Sequence, residues 1–216
     1  MLSMYFISRS ALEWTVRVLF RLKITGHENF PDPPFIVAAN HTSLLDPPIV
    51  GAACKNYTVN FMVKQELFEI PVVRHWSKSV QCIPVKRGEN SIKGVRESLR
   101  RLKQGKVVGI FPEGTRSSDG GLREAKMGTG FLISSAKVPV VPIYVYGTAK
   151  AFPKGKGIKP WSRVGAVIGK AISPEDLNLA GSSGKEHYER VGNEVMSAIA
   201  GLRDSLGKGV IPEQFI

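Results

Sequence analysis

Lys106-Val-Val-Gly-Ile-Phe-Pro-Glu-Gly-Thr-Arg-Ser117 runs from a short apolar stretch straight into a polar turn. A fully apolar run bounded by Gly105 and Pro112 predicts a buried strand over Lys106 to Phe111. Immediately upstream, Ser91 to Gln104 puts Ile92, Val95, Leu99 and Leu102 on one helical face and stops at Gly105. A helix feeding a strand that is apolar on both faces is the pattern of a parallel sheet with helices on either side.

The same alternation recurs outward from this point. Strands are expected at Phe35 to Ala39, Tyr57 to Val63, Val80 to Lys86, Val140 to Val145 and Arg163 to Ile168. Helices are expected at Pro47 to Ala53 with Asp46 as N-cap, at Gln65 to Ser77 with an interruption at Pro71, at Lys126 to Lys137, and at Tyr188 to Leu206. This order predicts a single α/β domain over residues 26–216, with a central, largely parallel sheet flanked by helices.

Residues 1–25 form a separate N-terminal region. Large apolar side chains crowd Met1 to Leu22, while Arg9, Glu13, Arg17 and Arg21 recur at every fourth position. On a helix these charges make one slowly drifting polar stripe. Two readings are open: an amphipathic helix lying in a membrane interface, or a helix packed on the domain's own core. No run of about 18 uncharged apolar residues predicts a transmembrane helix.

The chain of 216 residues carries a formal charge of +12 and a pI near 9.9, which predicts an anionic partner or surface. No nucleic-acid-binding motif accompanies that charge, so nucleic acid is not expected as a partner. Cys54 and Cys82 form neither a disulfide framework nor a metal pattern and are expected as buried thiols. The histidines His27, His75 and His187 are scattered among unlike segments, so no metal is expected.

Two polar stretches follow predicted strands. Asn40-His-Thr-Ser-Leu-Leu-Asp46 places a histidine and an aspartate five apart across a turn. The carboxylate is able to hold one ring nitrogen and leave the other as a general base, a contribution of roughly 10²–10⁴ in rate for a poor nucleophile such as a hydroxyl. Read alone, the pair suits an N-cap and a satisfied loop histidine better than a base. The second stretch is Phe111-Pro-Glu-Gly-Thr-Arg-Ser117. Its small residues are able to turn N–H groups and hydroxyls toward one point, and Arg116 supplies a planar fork for phosphate. Glu113 is the natural group to restrain that arginine or another nearby donor.

Together these stretches resemble the glycerolipid acyltransferase superfamily, in particular bacterial-type 1-acylglycerol-3-phosphate acyltransferases. The first block, N-H-x-S-x-x-D, is Asn40 to Asp46. The third, F-P-E-G-T-R-S, is Phe111 to Ser117. Ile83-Pro-Val-Lys-Arg87-Gly matches the second block, with Lys86 where the family often has an aspartate, and Val138-Pro-Val-Val-Pro142-Ile-Tyr matches the fourth. The resemblance covers about Gly26 to Gly147. It implies transfer of a fatty acyl group from acyl-CoA or acyl-carrier protein to the sn-2 hydroxyl of 1-acylglycerol-3-phosphate, with no cofactor beyond the donor. It further implies that His41 is the base and Asp46 its orienting partner. Glu113, Gly114 and Thr115 would then shape the acceptor site, and Arg87, Arg116 and Lys126 would bind its phosphate. The expected partners are the lysophospholipid, the thioester donor and a membrane lipid surface on the cytoplasmic face of a bacterial inner membrane.

Overall fold

Every residue of β2 (Ile36–Ala39) and of β5 (Val107–Ile110) is buried, because apolar side chains leave these strands on both faces of one sheet. In the computed structural model, which describes residues 14–69, 71, 74, 77, 81–85, 91–153, 155–180 and 183–207, these two strands are the centre of that sheet. The others are β1 (Arg21–Thr25), β3 (Val59–Lys64), β4 (Ile83–Val85), β6 (Val140–Tyr146) and β7 (Arg163–Ile168). Their spatial order is β1-β7-β6-β2-β5-β3-β4. Every neighbouring pair is parallel except β6 and β7. The α/β class and the largely parallel sheet are therefore as the sequence predicts.

Side-chain alternation divides the core in two. Phe35, Val37 and Ala39 point to one face, where Ile49, Val50 and Ala53 of helix α1 (Asp46–Ala53) cover them. Ile36, Ala38, Val108 and Ile110 point to the other face. There they meet α2 (Ser91–Lys103), α3 (Met127–Ala136) and the long α5 (Lys185–Gly207) through Leu102, Leu132, Ile133, Val191, Val195 and Ile199. Each such side chain contributes about 1.5–3 kcal/mol when fully buried. A close backbone approach seats α3 on α5: a Cβ on Gly130 would lie 1.8 Å from the Tyr188 carbonyl oxygen, so only glycine fits.

The structure departs from expectation at several edges. The helix predicted over Met1 to Leu22 is described only at residues 14–19, and residues 1–13 lie outside the described part. Arg21 and Leu22 instead open β1, which pairs with β7 from Arg21↔Arg163 to Thr25↔Val167. Sheet hydrogen bonding outweighs the helical periodicity here, so the sheet begins inside the region 1–25. Gln65–Glu69 is a single 3₁₀ turn, and residues 71, 74 and 77 are helical. A short helix not foreseen from the sequence, α4 (Thr148–Ala151), follows β6. Among the described residues no helix is long and apolar enough to cross a membrane.

Candidate active site

The chain leaves β2 and β5, which are neighbours, in opposite senses. From β2 it passes through α1 on one face of the sheet; from β5 it passes through α3 on the other. A crevice opens at the carboxyl ends of strands related in this way, and ligands of open α/β sheets bind there. Both polar stretches picked out in the sequence begin at this edge, His41 just past β2 and Glu113 just past β5.

Asp46 is buried and gathers the first turn around itself. Its Oδ2 accepts the backbone N–H of Thr42 at 2.6 Å and of Ser43 at 2.7 Å, and lies 2.8 Å from His41 Nδ1. Its Oδ1 accepts the Thr148 hydroxyl at 2.5 Å. Backbone N–H groups only donate, so Oδ2 is an acceptor and Nδ1 carries the proton. The Nε2 lone pair is then left able to accept a proton. The N-cap expected at Asp46 falls instead at Leu45, which makes no side-chain capping bond; Asp46 is the first helical residue, and its carboxylate serves the turn.

Adjacent groups hold the imidazole in place. Its ring stacks on Phe111, with centroids 4.1 Å apart and planes at 20°. The His41 N–H donates to Glu113 Oε1 at 3.1 Å, and the His41 carbonyl accepts from Ser117 N–H at 2.7 Å. The two strand-end turns are thus tied together through the backbone of His41 itself. Asn40, one residue earlier, pairs with Val145 in both directions, at 2.9 and 2.7 Å, and locks the end of β2 to β6.

Glu113 is 1% exposed, and no described group bonds its Oε2. Burial pushes its carboxyl up to about 7, against the pull of the His41 N–H and of the Arg123 charge; the charges of Asp46 and Asp119 push the same way as burial. Of the partners the sequence allows for Glu113, the structure selects the His41 backbone rather than Arg116.

The remaining predicted residues spread along the second turn. Gly114, at φ +68°, closes it with an N–H bond to the Phe111 carbonyl at 2.9 Å. Lys126 packs beside it, because a Cβ on Gly114 would lie 3.1 Å from Lys126 Cγ, and Lys126 N–H bonds the Pro112 carbonyl at 2.8 Å. Thr115 is exposed and Arg116 half-buried. The Ser117 hydroxyl turns away to Asp119 Oδ1 at 2.6 Å. His41, Asp46 and Glu113 are therefore together, with Gly114, Thr115, Arg116 and Lys126 on the adjoining loop. Arg87 and Lys86 lie outside the described residues.

Thr148 is the site residue missing from the sequence reading. It is buried, donates to Asp46, and shares a 3.0 Å hydroxyl contact with Thr42. It stands 102 positions from Asp46, and no local pattern marks it. Among the described residues no cluster of His, Cys, Asp or Glu suits a metal ion.

The chain as a whole is similar to known proteins. The chain is 30% identical over 175 residues to the 1-acyl-sn-glycerol-3-phosphate acyltransferase of Bacillus subtilis, covering 81% of this chain and 85% of that one. It is 33% identical over 181 residues to the chloroplastic 1-acyl-sn-glycerol-3-phosphate acyltransferase BAT2 of Brassica napus, covering 81% of this chain. The chain spans about half the length of its plant relatives, 52% in that case. The crystal structure of the 1-acyl-sn-glycerophosphate (LPA) acyltransferase PlsC from Thermotoga maritima superimposes with a TM-score of 0.74 at 28% identity, covering 93% of this chain and 80% of that one. The Acyltransferase family model matches residues 21–146, from the first strand of the sheet to the last residue of β6 and across both polar turns, so the chain belongs to the Acyltransferase family.

Proposed function

We propose that this protein transfers a fatty acyl group from a thioester to the sn-2 hydroxyl of 1-acylglycerol-3-phosphate, giving phosphatidic acid. The observation that carries the reading is the 2.8 Å His41 Nδ1–Asp46 Oδ2 contact, which orients a base beside a cationic, glycine-bearing turn. The names of the relatives in Bacillus and Brassica and of the Thermotoga structure support the same acceptor.

In this reading Nε2 of His41 removes the acceptor hydroxyl proton as the oxygen attacks the thioester carbonyl carbon. The tetrahedral intermediate collapses with cleavage of the carbon–sulfur bond, and the proton passes to the departing thiolate. Asp46 fixes the tautomer and stabilises the transient imidazolium without taking the proton, the division of labour of a Ser-His-Asp triad with the substrate hydroxyl in place of serine. Arg116 and Lys126, with Arg87, hold the acceptor phosphate, while Glu113, Gly114 and Thr115 keep the turn in shape. The donor is acyl-CoA or acyl-carrier protein, no cofactor beyond it is required, and the enzyme works at a membrane surface.

The test is a transfer assay with purified protein, both donors and a panel of lysolipids. His41→Ala serves as the control. Phosphatidic acid should form with the wild type and fall by roughly 10²–10⁴ in rate with the variant. Equal turnover in the two proteins refutes the base, and a preference for another lysolipid refutes the acceptor.

A further inference from the structure

The helix at residues 14–19 has two faces. Val16, and Phe20 just past the helix end, are buried in the core, whereas Trp14 and Val18, on the side of the helix away from Val16, are 67% and 44% exposed. Beside it runs the loop after α4, Phe152-Pro-Lys-Gly-Lys-Gly-Ile-Lys-Pro-Trp161. In that loop Ile158 is 48% and Trp161 69% exposed.

These residues are held out, and the loop that carries them is pinned. Trp161 N–H donates to the Leu19 carbonyl at 2.7 Å, and Arg21 N–H to the Ser162 carbonyl at 3.1 Å. The Ser162 hydroxyl donates to the Lys159 carbonyl at 2.7 Å, and Lys159 N–H to the Ala151 carbonyl at 2.7 Å. Trp161 has φ +64°, a left-handed conformation that a bulky residue adopts only where its surroundings impose it. The result is a large indole held in solvent at the end of the only described helix segment that precedes the sheet.

The charge along the loop has one sign. Lys156 and Lys159 are exposed within the loop, and no Asp or Glu occurs between Glu124 and Glu175. Exposed tryptophan interleaved with lysine is the composition of a surface seated at the lipid headgroup level, where the ring takes the interface and the ammonium groups meet anionic lipid. The position also fits. The Phe152 carbonyl accepts the Ser43 hydroxyl at 2.9 Å, so the loop starts at the His41 turn itself.

We infer that the loop 152–162, together with the Trp14–Val18 face, is a docking surface for an anionic bilayer, giving the site its contact with the membrane. The inference rests on the lipid-acceptor reading above and adds which surface faces the lipid. Nucleic acid and protein partners are rival occupants of a basic patch, and they would leave Trp161 indifferent to lipid.

The experiment uses the full chain with Trp14→Phe and Trp76→Phe, so that Trp161 is the sole emitter. It is mixed with vesicles of phosphatidylglycerol and phosphatidylcholine containing brominated lipid. A blue shift and quenching of Trp161 are expected; vesicle binding without quenching, or no binding, overturns the surface. Lys156→Gln with Lys159→Gln should weaken binding to these vesicles by roughly tenfold or more, and unchanged binding counts against it equally. Trp161→Ala should slow transfer to acceptor embedded in vesicles and leave transfer to detergent-dispersed acceptor unchanged. Equal loss in both formats would mark a structural role and overturn the inference. Quenching in a protein that transfers no acyl group to either format refutes the activity and leaves the docking surface standing, whereas transfer without quenching refutes the surface alone.

Discussion

Replacing Glu113 with glutamine isolates one buried ionisation in this fold. Glutamine keeps an oxygen for the His41 N–H, now 3.1 Å from Glu113 Oε1, and removes the titration. In the folded protein burial raises the Glu113 carboxyl from 4.5 to about 7. The unfolded chain ionises near the ordinary value, so as pH rises from 4.5 the unfolded state releases its proton while the folded state retains it. The stability conferred by the neutral form is therefore complete below about pH 4.5 and is lost as pH climbs through 7. At 1.36 kcal/mol per pKa unit, the loss between pH 5 and pH 8 is about 2–3 kcal/mol. Urea unfolding of wild type and Glu113→Gln at several pH values measures it. Every other titrating group contributes alike to both proteins, so the difference between the two curves reports Glu113 alone. The variant should gain on the wild type by about 2–3 kcal/mol across that window. Parallel pH profiles would refute the account, as would a wild type that gains stability relative to the variant with rising pH.

Thr148→Val removes the hydroxyl that bonds Asp46 Oδ1 at 2.5 Å. It should cost about 1.5–3 kcal/mol in stability, the range for hydrogen bonds to charged groups. It should also lower kcat with little change in acceptor KM and displace the pH–rate profile, whereas Thr148→Ser restores both; a serine variant as impaired as valine would show that the methyl group, not the hydroxyl, matters. Asp46→Asn should lower kcat by roughly 10⁴, by analogy with the same exchange in a Ser-His-Asp triad, with the fold checked by circular dichroism; near-normal kcat refutes its role in orienting the base. Arg116→Ala should raise acceptor KM far more than it lowers kcat, and an unaltered KM removes it from the phosphate site. Gly114→Ala, at φ +68° and with a Cβ 3.1 Å from Lys126 Cγ, should destabilise by about 1–2 kcal/mol, read from thermal unfolding; a neutral effect would mean that the turn relaxes.

Local chemistry was enough to read much of this protein from its residues. Runs such as Phe35–Ala39 and Lys106–Phe111 have one stable solution, burial on both faces of a sheet, so the α/β class followed from them. The two turns were legible because His41 and Asp46, and Glu113 through Ser117, each lie within one short segment just past a strand. Arg21 and Leu22 misled because the helical periodicity they close is a weak local preference, which pairing with β7, more than a hundred residues away, overrides. Tertiary structure alone decided which turns meet: that the His41 backbone is clasped by Glu113 and Ser117, and that Thr148 reaches Asp46 from the end of β6. It alone raised the Glu113 carboxyl and set Trp161 beside the N-terminal helix. Hydrogen bonding, burial and electrostatic shift depend on distance in space, and the order of residues along a chain encodes that distance only through the fold.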